Sequence, residues 1–187
     1  MVLSIHQSAG NWLLALLMVG IPSLGETPIR QQWVAPDGQW VVIENGCWPP
    51  GKETCSAGTN GLSLTLVNRQ THKWRLVSRT DTPPLVSWAP DSKGFFLVEH
   101  ISSDRDDSYA YNVDTERRVD LGSLISGRDM TVKHYQRLGS HLYFRAERWR
   151  DPKAIEVEVT GHTDSLPVKE FHLRFLITLD SEVIRLS

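Results

Sequence analysis

Two stretches of the chain spell nearly the same turn and strand. Ala35-Pro36-Asp37-Gly38-Gln39 runs into Trp40-Val41-Val42-Ile43-Glu44, and Ala89-Pro90-Asp91-Ser92-Lys93 runs into Gly94-Phe95-Phe96-Leu97-Val98-Glu99. Proline presets the first turn angle, aspartate hydrogen-bonds to backbone just downstream, and Gly or Ser accepts the tight reversal. Each copy is thus a turn feeding a buried strand that ends in Glu. A tryptophan enters each turn, Trp33 and Trp88, one residue out of register. The second halves match as well. Val67-Asn68-Arg69-Gln70-Thr71 before Lys73-Trp74-Arg75-Leu76 parallels Tyr111-Asn112-Val113-Asp114-Thr115 before Arg117-Arg118-Val119. The first unit is longer by an insertion over residues 46–60, which contains both cysteines. A repeated unit of this kind constrains the fold more than any single segment does.

Between the repeats the apolar residues alternate with period two, as at Leu62–Leu66 and Ile155–Val159, and no sustained helical period is visible. The chain therefore reads as all-β. The paired Pro-Asp turns and their second halves, over about residues 33–120, resemble the repeats of TolB-like β-propellers. That resemblance implies four-stranded blades and a protein-binding platform. A third unit is expected from Tyr135 onward, although it lacks the Pro-Asp pair. Three propeller-blade-like four-stranded units are fewer than the about four to eight that close a ring. The expectation is an incomplete or irregular propeller, with an irregular β-sandwich as the alternative. Open sheet edges in such an arrangement permit a homo-oligomer.

The first 25 residues contain no Asp, Glu, Lys or Arg, and Trp12–Val19 is an unbroken apolar run closed by Pro22, Ser23 and Gly25. This is the layout of a secretory signal, although its start lacks the usual Lys or Arg. Cleavage is expected before Glu26, leaving residues 26–187 as one all-β domain with no transmembrane span. In the periplasm, Cys47 and Cys55 are expected to form a disulfide. With 20 Lys and Arg against 22 Asp and Glu, the net charge of −2 excludes a polybasic nucleic-acid binder.

Motifs for chemistry are sparse. The histidines at 72, 100, 134, 141, 162 and 172 have no tight metal spacing, and no G-x-S-x-G is present. Neither metal nor cofactor is expected. Asp104, Asp106 and Asp107 put three carboxylates in four positions, but Arg105 opposes a cation and the run lacks the glycine and distal glutamate of a calcium loop. A solvated connection is expected there. Gly161-His162-Thr163-Asp164 resembles the G-H-T-D of OmpA-like peptidoglycan-binding domains, but the helix that follows in that family is absent, so a polar hairpin turn is expected. The remaining signal is aromatic and cationic. Trp48 lies in the cysteine-bounded, proline-rich loop, and Arg148-Trp149-Arg150 places an aromatic between two arginines. Trp and Arg are the residues of interface hot spots. The expected function is an exported, non-enzymatic domain that binds a macromolecular partner, a protein in the periplasm. The alternatives are an immunity or inhibitor protein against a periplasmic toxin or hydrolase, an envelope hydrolase, and a peptidoglycan-binding module.

Overall fold

A computed structural model describes residues 29–45, 61–103, 105–138, 141–163, 170–180 and 182–187. The expected signal (1–25), Cys47, Trp48, Cys55, Asp104 and Asp164 lie outside the described residues.

The described strands form three antiparallel four-stranded units. The first is β1 (Ile29–Val34), β2 (Trp40–Asn45), β3 (Leu62–Asn68) and β4 (Trp74–Thr80). The second is β5 (Leu85–Trp88), β6 (Gly94–Ser102), β7 (Arg105–Asn112) and β8 (Arg118–Asp120). After two short helices, α1 (Leu121–Arg128) and α2 (Met130–Arg137), the third is β9 (His141–Asp151), β10 (Ala154–His162), β11 (Glu170–Thr178) and β12 (Val183–Arg185). A short parallel pairing of Arg105 and Asp106 with Leu142 and Tyr143 joins the second unit to the third.

Hydrogen bonds prove the three-fold repeat. Asp37, Asp91 and Asp151 each accept, through Oδ1, from the backbone N–H two residues on, at 2.9, 3.0 and 2.7 Å. The third unit has thus kept the aspartate turn with its proline moved behind, as Asp151-Pro152. The carbonyls of Gln39, Lys93 and Lys153 then accept from Arg69, Val113 and Leu179 at 2.8, 2.9 and 2.8 Å. These locks tie the two turns at one end of each unit and set the equivalences. Val42, Phe96 and Glu156 occupy one position, and Val41, Phe95 and Ile155 the position before it.

This register corrects two sequence-based expectations. Glu44 and Glu99 are not equivalent; they come from opposite faces of their blades. Nor is Trp33 the counterpart of Trp88, whose true counterpart is Trp149. Trp88 Nε1 donates to the Trp33 carbonyl at 2.9 Å, and Trp149 Nε1 donates to the Ser87 carbonyl at 3.1 Å. Trp33 and Ser87 are themselves equivalent, so one clasp is used twice, each blade's tryptophan reaching back to the inner strand of the blade before.

The core follows the same logic in two layers. Val42, Leu64 and Leu66 of the first blade pack with Phe95, Leu97 and Tyr111 of the second. Phe96 and Ala110, from the other side of the second blade, pack with Ile155, Val157, Phe175 and the helix residues Leu121 and Ile125. A buried polar clasp joins the first layer, where Glu99 accepts from the Ser78 hydroxyl and from Arg118.

The two helices depart from the all-strand expectation. Helix α1, Leu-Gly-Ser-Leu-Ile-Ser-Gly-Arg, has glycine- and serine-rich composition that disfavours helix. It is held by its ends and its packing. Asp120 accepts from Ser123 N–H at its start, the Asp129 backbone N–H donates to the Ile125 carbonyl at its end, and Ile125 is fully buried, while the Asp129 side chain caps α2 by accepting from Thr131 and Val132 N–H. Gly161 and His162 also depart from expectation, because they continue β10 rather than turn.

Candidate functional site

In the first two blades, the position shared by Val42 and Phe96 is apolar and packs on the following blade. The third blade has Glu156 there. The residue paired with this position on the adjacent strand stays apolar (Leu66, Ala110, Leu176), but two residues further on the pairs are Glu44–Leu64, Val98–Ser108 and Glu158–Arg174. The face that the repeat would give to a further blade therefore carries a charged cluster around Glu156 in the third unit, beside the apolar Leu176 and Ile184.

Glu156 is 6% exposed and is the centre of a cationic group. Arg148 donates to its Oε2 from Nε at 3.0 Å, and a terminal nitrogen of the same guanidinium lies 3.0 Å from that oxygen. Arg150 reaches the same oxygen at 3.3 Å, and Arg174 lies 3.7 Å from Oε1. The three guanidinium side chains remain 60, 52 and 50% exposed. The Arg148 hydrogen bond, with the charges of all three arginines, holds the Glu156 carboxyl below its ordinary value against the opposing effect of burial.

The strand register makes this convergence possible. Residues 145 and 148 would fall on opposite faces of a regular strand. Between β9 and β10 the pairing skips Glu147 and Arg150, passing from Ala146↔Val157 to Arg148↔Glu156 to Trp149↔Ile155. A β-bulge of this kind re-aims side chains. Here it leaves Arg145, Arg148 and Arg150 all exposed while Trp149 turns inward against Phe96, with ring centroids 6.0 Å apart. Of the expected Arg-Trp-Arg anchor, Arg148 and Arg150 face solvent, while Trp149 turns inward and clasps two blades.

Further along the same face, Asp106 is buried and accepts from Arg145 Nε at 2.8 Å, and pairs with His100 Nδ1 at 2.7 Å. Asp107, also buried, pairs with Arg105. That hydrogen bond is the main reason the Arg105 guanidinium is held above its ordinary value. The expected solvated loop is thus part of β7, with Asp106 and Asp107 projecting from opposite faces, where they cannot share one ion. Among the described residues no group of three His, Cys, Asp or Glu is placed to hold a metal.

His172 Nε2 meets Glu158 at 2.5 Å, and the His141 and His162 rings stack at 4.4 Å. A shallow cleft of about 410 Å³ opens here beside Tyr143, Thr160, His162, Glu170, Phe171 and His172. A smaller one of about 290 Å³ adjoins it at His100, Asp106, Arg145 and Glu158. Gly161 forms the cleft floor because nothing larger fits. A Cβ there would lie 2.6 Å from both the His141 carbonyl oxygen and the Phe171 ring.

Around Glu156 and Asp106 the buried members of this face are carboxylates and the exposed members are guanidiniums and an imidazole, so there solvent meets mainly N–H donors, while the exposed Glu170 lies at the far end beside the larger cleft. Sequence reasoning found Arg148 and Arg150 and missed Glu156, Arg174, His100 and His172. The alternations Glu156-Val157-Glu158 and His172-Leu173-Arg174 put each pair on one face, but only the cross-strand register shows that the faces coincide.

No protein-family model matches the chain, and no curated protein matches it. Among solved structures it is similar to the β-propeller domain of the Trilobed protease from Pyrococcus furiosus, which has an open velcro topology. The TM-score is 0.51 at 11% identity, over 85% of this chain and 43% of that one. It is also similar to TolB from Acinetobacter baumannii (TM-score 0.40, 15% identity, 86% of this chain and 32% of that one). A third is the acylaminoacyl peptidase of Pyrococcus horikoshii (TM-score 0.42, 10% identity, 84% and 24%). The chain spans less than half the length of each. Three blades, one repeated turn and one repeated tryptophan clasp make the chain a partial β-propeller.

Proposed function

We propose that this chain is an exported, non-catalytic binding module whose open third-blade face docks a protein partner in the periplasm. One observation carries the reading. Glu156 stands where both other blades place an apolar residue of the next interface, so this buried carboxylate and the arginines gathered on it are not demanded by the repeat. Arginine is favoured at interface hot spots, and carboxylates fixed beneath the guanidiniums hold them in place before a partner arrives, which lowers the entropic cost of docking.

A photo-crosslinking residue at His172 in the full chain, expressed in its host, tests this. Adducts from position 172 and none from Asp114, on a remote turn, are expected. Adducts from 114 alone would overturn the docking face. Export has its own test. The exported chain is expected to begin at Glu26 by intact mass and to show no free thiol at Cys47 or Cys55 after denaturation without reductant.

The His100–Asp106 pair supports a second reading, an envelope hydrolase with His100 as base. Arg145 weakens it, because the carboxylate that would orient the imidazole is shared with a guanidinium. Among the described residues no hydroxyl or thiol hydrogen-bonds the His100 imidazole to serve as nucleophile, since the Thr82 hydroxyl donates to the His100 backbone carbonyl and not to the ring. On the binding reading, partner capture by His100→Ala falls with no accompanying loss of a hydrolysis. Loss of a measurable hydrolysis in that variant would favour the enzyme.

A further inference from the structure

The donors on the third-blade face outnumber the acceptors. Each guanidinium carries five N–H donors, and Arg148, Arg150 and Arg174 converge on the single carboxylate of Glu156. Of the other carboxylates on the face, Glu158 is engaged by His172 and Asp106 by Arg145 and His100, and the exposed Glu170 lies four residues from Arg174 along β11. Three cations against one anion leave a local excess of two positive charges, with about half of each arginine side chain in solvent. A guanidinium fork matches a carboxylate bidentately.

Spacing says how many anionic groups are wanted. Arg148 is on β9 and Arg174 on β11, two strands away across β10. Strands lie about 4.8 Å apart, so the donors rise from backbone positions roughly 10 Å apart. One small anion satisfies one fork. A chain bearing carboxylates on alternate residues, about 7 Å apart when extended, can address several.

We infer that the open face of the third blade binds an acidic protein segment, its Asp or Glu carboxylates held by Arg148, Arg150 and Arg174. This rests on the docking reading above and names the chemistry of the partner. Arg145 lies on the same face, extending the cationic row toward the smaller cleft. Trp149, clasped to Ser87, holds the strand between Arg148 and Arg150 in place.

The test is a calorimetric titration of the full chain with hexaglutamate at low salt. Hexalysine and inorganic phosphate serve as the other arms. Hexaglutamate is expected to bind, to weaken steeply as salt is raised, and to resist displacement by an equal concentration of phosphate. Arg148→Ala with Arg150→Ala is expected to weaken it at least tenfold. Because that pair strips Glu156 of counter-charge and can unfold the blade, Arg148→Lys with Arg150→Lys is measured beside it. The lysine pair keeps the charge and loses the fork, so a melting temperature near that of the parent with at least threefold weaker binding is expected.

Unchanged affinity in both pairs, or no binding of hexaglutamate by the parent chain, would overturn the inference. So would displacement of the peptide by equal phosphate, which would mark a small-anion site. Crosslinks from position 172 that persist beside such a result would show that the face docks a partner by other chemistry. Loss of those crosslinks would instead bring down the docking reading itself.

Discussion

Glu156 works against its own burial. A carboxylate taken from water prefers to be protonated, yet Arg148, Arg150 and Arg174 keep it ionised and hold its pKa below the ordinary 4.5. A carboxyl with a depressed folded-state pKa contributes stability that is complete above its unfolded value and is lost as pH falls through the folded one. The parent chain is therefore expected to lose stability on acidification below about pH 4.5 more steeply than Glu156→Gln, which has no proton to take up at that site. Melts from neutrality to about pH 3 check this, and parallel curves for the two proteins would refute it. His72 offers the opposite case, a cost with no visible return. Its φ of 56° is left-handed, and its side chain is exposed. The equivalent Glu116, at 58°, at least pairs with Arg75. Left-handed backbone costs an L-residue roughly 1–2 kcal/mol, so His72→Gly is expected to stabilise by about 1 kcal/mol and raise the melting temperature by about 2–4 °C. Ser92, at 63°, is not interchangeable with it, because its hydroxyl accepts from Asp37 N–H at 2.9 Å and ties two blades' turns together.

Among the elements, β9 has the most to do. It forms the inner strand of the third blade, carries the bulges that gather the arginines, and places the second tryptophan clasp. Trp149→Phe keeps most of the apolar contact with Phe96 and removes only the hydrogen bond to Ser87. It is expected to cost about 1 kcal/mol. Trp149→Ala also opens a cavity and should cost about 3 kcal/mol or more. Equal melting temperatures for the two variants would mean that neither contact holds the blades. The clasp also shows what was legible in the sequence. The first two turns could be read because Pro36-Asp37 and Pro90-Asp91 keep the same order. The third was hidden, since Asp151-Pro152 reverses the pair, although the aspartate's hydrogen bond is unchanged. Helices α1 and α2 were invisible to periodicity because each is only eight residues long and buries few side chains. Their one signal is the aspartate before each, Asp120 and Asp129. The arginine cluster was half legible. Arg148 and Arg150 stand out as neighbours of a tryptophan, but Glu156 and Arg174 join them only through a bulged register that no local pattern encodes.

At the scale of the whole molecule, two apolar layers share the middle blade and do not touch through any common side chain. Phe95 and Leu97 face the first blade, and Phe96 faces the third. Stacked units that contact only their neighbours approach a sum of independent interfaces, so damage at one layer should stay local. Leu66→Ala, fully buried in the first layer, is expected to cost about 2–5 kcal/mol. That loss should appear as weakened hydrogen-exchange protection over β1–β4. Val157→Ala, in the second layer, should do the reverse and loosen β9–β11 while leaving β2 and β3 protected. The Ser78–Glu99–Arg118 clasp and the Trp88 clasp both cross the first layer, so some coupling into β6 and β8 is expected from Leu66→Ala, but not into β10. Uniform loss of protection along the chain in either variant would mean the three blades unfold as one cooperative body. The polar third-blade face could then not be perturbed without cost to the first blade. If protection is instead lost blade by blade, the arginines of the open face can be exchanged with little cost to β2 and β3.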